Sequence, residues 1–160
     1  MLNALIHSIG SIDSAVHICR FLSYSAHLTV QEQIEKTNVV NKLQLAQSLL
    51  HQIRSNERQH EQTPSMNPIG VATTGVIDSL NYIRRDIRDI HSLHNAHQKR
   101  WFNKWYTPDY THPLAQLKQH VLILDLRIER LMHILPLIGT FLEDTIEPNT
   151  PNVSIRRHSI

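Results

Sequence analysis

Cysteine is almost missing from this chain. Cys19 is the only one in 160 residues, so no intramolecular disulfide forms and a reducing, intracellular setting is the default. Glycine is scarce at four residues, and the seven prolines fall almost entirely between apolar patterns, which argues for helices throughout. No segment reaches the roughly 18 consecutive apolar residues that a membrane span needs. The most apolar piece, Ile134 to Leu142, is short and carries Pro136 and Gly139. A net charge of +2 gives no electrostatic case for nucleic acid. The sequence has no glycine-rich phosphate loop, cysteine cluster, serine–histidine–acid order or catalytic carboxylate pair. The expectation is therefore a protein that is not an enzyme and needs no cofactor.

The N-terminus lacks the basic segment and unbroken apolar core of a secretory signal. It is amphipathic, serine-containing and nearly free of acids, as mitochondrial presequences are, yet Arg20 is its only cation before Lys36. The expected location is intracellular, with the cytoplasm ahead of the mitochondrion.

What is present is a set of apolar stripes at helical spacing. The longest runs Leu114, Leu117, Val121, Leu124, Ile128, Leu131, Leu135, Ile138 and Leu142, in steps of three and four with no polar interruption. Leu122, Ile123, Leu126, Met132, Ile134 and Leu137 flank it, so the spacing predicts a helix covered from more than one side. A first helix follows from Leu2, Leu5, Ile9, Ile12, Val16, Cys19, Ser23 and Ala26, with Cys19 as a small buried residue rather than a catalytic thiol. Thr29 and Glu32 fit a capping box opening a second helix, whose stripe is Val39, Leu43, Ala46, Leu50 and Ile53. Leu45 and Leu49 lie beside that stripe. Residues 63–75 read as a long loop, broken by Pro64, Pro68, Gly70 and Gly75. Thr74 then caps a third helix with the stripe Val76, Leu80, Ile83, Ile87, Ile90, His94, His97 and Trp101. Arg84, Arg85, Arg88, Asp86 and Asp89 fall on its outer face in this reading. Pro113 opens the fourth helix, and Pro136 should kink or end its regular part.

The predicted fold class is all-α: an antiparallel four-helix bundle with a mobile C-terminal tail. Residues 1–147 form a single domain, with helices at about 2–27, 30–61, 75–105 and 113–145, and 148–160 form the tail.

Twelve histidines are many for this length, and His91, His94 and His97 are spaced three apart on the third helix. Over those six positions a helix stops about 120° short of two full turns, so the three rings do not converge. A metal site needs a ligand from elsewhere, and His94, His97 and His133 are the candidates. The competing readings are a polar layer at one end of the bundle and a pH switch that charges buried imidazoles. Residues 99–105 mix Lys99, Arg100 and Lys104 with Trp101, Phe102 and Trp105, and with Arg84 and Arg88 they form the candidate interaction surface. A protein partner or self-association ranks first for it, an anionic membrane surface second and nucleic acid third. The functional expectation is thus a histidine-rich interaction or structural module, an adaptor or assembly subunit. A membrane-docking bundle and a histidine-based metal protein are the alternatives.

Overall fold

A computed structural model describes residues 2–57, 68–99 and 108–143, with side chains placed over 6–55, 68–99 and 108–136. Those residues form five α-helices: α1 (Leu2–Ser25), α2 (Leu28–Thr37), α3 (Val39–Glu57), α4 (Pro68–Gln98) and α5 (Thr111–Glu143). The class is all-α, as the stripes require.

The predicted second helix is two helices. Asn38 between them has φ 51°, the left-handed region that asparagine tolerates better than most residues. Its N–H donates to the Glu35 carbonyl at 3.0 Å and so closes α2. Its own carbonyl then accepts from Lys42 N–H at 3.2 Å, and its Oδ1 accepts from the Asn41 amide at 2.6 Å, so the same residue opens α3. The bend lets Val30, Ile34 and Thr37 reach the core from one direction and Val39, Leu43 and Ala46 from another.

Helix α2 also begins earlier than the capping box implies. His27 is its N-cap, with Nδ1 accepting from the Thr29 N–H at 3.4 Å. Thr29 therefore lies inside the first turn and does not cap it. Just before His27, the Ala26 carbonyl accepts from the Gln31 side chain at 2.9 Å, tying the α1–α2 corner together.

Of the loop expected over 63–75, residues 63–67 lie outside the described residues and 68–75 are helical, because α4 starts at Pro68. A proline at the first helical position costs no hydrogen bond, since that N–H has no intrahelical acceptor. Ile69, Ala72 and fully buried Thr73 then face the core and carry the helix through Gly70 and Gly75. Thr74 is not a cap; its hydroxyl donates back to the Gly70 carbonyl at 2.9 Å.

Just before α5, Asp109 Oδ1 accepts from the Thr111 N–H at 2.9 Å, and Pro113 occupies the first turn of the helix. The Thr111 hydroxyl and N–H beside Asp109 hold its carboxyl below the ordinary aspartate range. Pro136 does not end the helix, which continues to Glu143. The proposed tail, 148–160, lies outside the described residues.

α4 and α5 form the most extensive helix pair. They run antiparallel, as two contacts show: the Arg127 guanidinium bonds the Gly75 carbonyl and the Ser79 hydroxyl, while His120 bonds Asp86. α1 packs on α3 and α4, and α2 bridges α1 to α5. The centre of the core is Cys19, Leu22, Leu50, Ile83, Ile90, Leu117, Leu124 and Leu131, none more than 0% exposed. Leu22, rather than the expected Ser23, takes the α1 position there; Ser23 is half-buried and donates to the Cys19 carbonyl.

Gly75 sits inside α4 beneath Arg127. A methyl group there meets Arg127 Cδ at 3.6 Å, an ordinary contact, and φ is in the helical range. Gly75→Ala is therefore expected to stabilise the protein by about 0.5–1 kcal/mol, the helix-propensity difference between the two residues. A lowered midpoint in urea denaturation would contradict this placement of Arg127.

Candidate interaction surfaces

Arg84 is half-buried on α4, while Arg88 and Lys99 are exposed, so three of the predicted contact residues are in view. Arg100, Trp101, Phe102, Lys104 and Trp105 lie outside the described residues. Arg85, one turn from Arg88, extends its guanidinium over Tyr82, 5.7 Å from the ring centroid. Tyr82 in turn stacks on His120 of α5, with centroids 5.2 Å apart and planes 19° from parallel. The cationic face of α4 is thus continuous with the edge of the α4–α5 seam.

Under that edge lies a pair the charge pattern concealed. Asp86 does not cover the outer face: it is 1% exposed, and its Oδ2 accepts from His120 Nδ1 at 2.5 Å. Its Oδ1 has no partner among the described residues. Burial pushes the Asp86 carboxyl above the ordinary aspartate range, against the opposing pull of His120 and Arg85. Asp125, by contrast, is not paired on its own helix; it reaches across to Lys42 of α3.

The histidine series on α4 meets α1. Phe21 presents its edge to His91 and His94, at centroid distances of 5.6 and 6.0 Å. His94 is buried and bonded to the Gln98 amide at 3.0 Å, His91 contacts Asn95, and His97 is half-buried. His133 is exposed on α5, with Nε2 3.9 Å from Glu129 of the same helix. Among the described residues no three histidine, cysteine, aspartate or glutamate side chains are grouped to hold a metal ion.

Burial, reinforced by His91 and His97, holds the His94 imidazole below the ordinary histidine range. Protonation then favours the unfolded chain, so the stability from neutral His94 is present above the ordinary pKa of about 6.5 and is lost as pH falls below it. The melting temperature is expected to be lower at pH 5.5 than at pH 7.5, with a smaller difference in His94→Gln. Equal shifts in the two proteins would assign the acid sensitivity to other groups. Cys19 is fully buried and its thiol is pushed up to about 12 by burial, which suits packing and not nucleophilic chemistry.

Two surfaces escaped the sequence reading. The first is an open groove of about 570 Å³ between α1 and α3, lined by Asp13, His17, Arg20, Phe21, Tyr24 and Gln44. Its only advance signal was Phe21 and Tyr24, three apart and off the buried stripe. The second is the outer side of α5. The flanking leucines were expected to be covered, yet Leu122, Leu126 and Met132 are 54%, 58% and 50% exposed. Among the described residues α5 is covered on its core side, where α2, α3 and α4 pack against it.

No helix among the described residues is long and apolar enough to cross a membrane. No protein-family model, no curated protein and no solved structure matches this chain.

Proposed function

We propose that this protein is a non-enzymatic helical interaction module, an adaptor or assembly subunit. Its helices act as four rods of an antiparallel bundle, with α2 and α3 together forming one bent rod. The observation that carries this reading is the exposure of Leu122, Leu126 and Met132 on a helix whose opposite side is core. Leu122 and Leu126 share one face, Met132 extends the exposed apolar surface around the helix, and such exposed apolar side chains on a rigid element are the usual mark of a contact surface. The exposed cations Arg88 on α4 and Lys99 just past its end supply a second, electrostatic contact, and the basic and aromatic residues 100–105 follow in the sequence. The proposed setting is the intracellular one read from the single cysteine.

The test is a photo-crosslinking residue placed at Arg88 or, as a reference, at exposed Glu35 of α2. Discrete crosslinked species from position 88 that are absent from position 35 are expected. Equal labelling from both positions would remove the α4 surface. Co-sedimentation with vesicles of anionic phospholipid, and its loss in Arg88→Glu, would transfer the same cations to a membrane role.

A further inference from the structure

The exposed side of α5 carries a leucine pair flanked by polar and charged residues. Ala115, Gln119, Leu122, Leu126, Glu129 and His133 follow one another at spacings of three or four, and so share one face. All six are exposed. Leu122 and Leu126 stand at the middle, and Gln119 and Glu129 each lie five residues from the point between them. Lys118 lies six residues before that point and Glu129 five residues after it.

From this arrangement we infer that two copies of the chain associate through the outer faces of α5, antiparallel, about a two-fold axis between Leu122 and Leu126. Antiparallel helices related by such an axis bring the same flank of each into contact, so a residue before the axis meets one after it. At about 1.5 Å of rise per residue, Lys118 of one copy and Glu129 of the other stand level to within about 1.5 Å along the axis. Both lie on the same flank of the leucine pair, about 20° apart around the helix. The symmetry makes this contact twice. On the other flank Gln119 meets Arg130 in the same way, and the two Arg130 side chains are about 18 Å apart along the axis, too far to repel strongly. Asp125 is already neutralised by Lys42 of its own chain.

A parallel pair has no such match, because it sets Lys118 beside Lys118 and Glu129 beside Glu129. The charges therefore choose the orientation, and the four leucines supply the apolar centre. With so small a centre the dimer forms and dissociates with concentration.

This inference deepens the interaction-module reading and rests on it, but it involves α5 and not the α4 cations. A monomer would leave crosslinking from position 88 untouched, and loss of that crosslinking would leave the dimer untouched. Light scattering on the full chain across a concentration series is expected to show the mass rising from 18.6 kDa toward twice that value. Lys118→Glu or Glu129→Lys alone sets like charges together at both symmetric contacts and should weaken association about tenfold at low salt. The double swap, Lys118→Glu with Glu129→Lys, should restore it to within about threefold of the unmodified protein. Leu122→Ser with Leu126→Ser should abolish the dimer while leaving helicity and melting temperature nearly unchanged, which separates contact from folding. A mass that stays at 18.6 kDa at every concentration, or a double swap no tighter than its parent single variants, would overturn the inference.

Discussion

Leu124→Ala is expected to destabilise the protein by about 2–5 kcal/mol, the range for a leucine whose loss leaves a cavity in a packed core. Leu124 is completely buried at the middle of α5, the helix that packs against α4, α2 and α3. Its neighbourhood has no solvent edge from which to collapse, so the value should fall in the upper half of that range. Leu126, two positions away, is 58% exposed, and Leu126→Ala should change stability by no more than about 0.5 kcal/mol. The pair of variants, compared by urea denaturation, reads the orientation of α5 directly. Equal losses at the two positions would mean that the helix is rotated from the placement described.

His120→Ala is the second substitution with a large expected effect. It leaves the Asp86 carboxylate buried at 1% exposure with neither oxygen satisfied. Breaking one side of a buried pair costs about 3–5 kcal/mol, and the 21% exposure of the His120 side chain, which admits some water, brings the expectation to about 2–3 kcal/mol. The loss should depend on pH, with a definite sign. A carboxyl whose folded pKa lies above its unfolded value favours folding when protonated; that contribution is present below about pH 4 and disappears as pH rises through the folded pKa. Removing His120 takes away both of its lowering influences on Asp86 and raises the carboxyl further. The deficit of His120→Ala should therefore be larger at pH 7 than at pH 4. Asp86→Leu with His120→Leu should recover most of it, since a buried ion pair often gives way to apolar residues at little cost. A pH-independent deficit would mean that the imidazole contributes by packing on Tyr82 and not by satisfying Asp86.

The all-α class and most of the core could be read from the sequence. The stripes at Val39–Ile53, Val76–His94 and Leu114–Leu131 are buried as their spacing requires, because burial of a repeating face needs nothing beyond period and polarity. What the period does not encode is a change of direction. Asn38 falls just ahead of the stripe that starts at Val39, and its left-handed φ follows from local sterics and capping. Pro68, Gly70 and Gly75 carry loop composition, yet Ile69, Ala72 and Thr73 outweigh it by facing the core.

Asp86 shows the opposite failure. Ser79, Ile83, Asp86 and Ile90 are spaced four, three and four, so position 86 lay on a buried face by count. Its charge, and the arginines around it, argued for the outside; only the His120 partner, 34 residues away, resolves the conflict. The candidate contact residues divide similarly. Arg88 and Lys99 were legible as exposed cations on a helix, but the outer leucines of α5 were misassigned to the core. Amphipathic spacing says that a face is apolar and is silent on whether the same chain covers it.

In the proposed assembly α5 works on both sides: one face builds the core and the other meets a second copy. Spin–spin distance measurement on a nitroxide at Ala115→Cys tests it most directly, and buried Cys19 leaves the introduced thiol as the reactive one. Position 115 is nine residues from the proposed axis, so the two labels should stand roughly 25–35 Å apart, from about 27 Å along the helices and about 10 Å between them. A distance below about 20 Å would require a parallel pair, and no dipolar coupling in concentrated protein would mean that α5 meets no second copy.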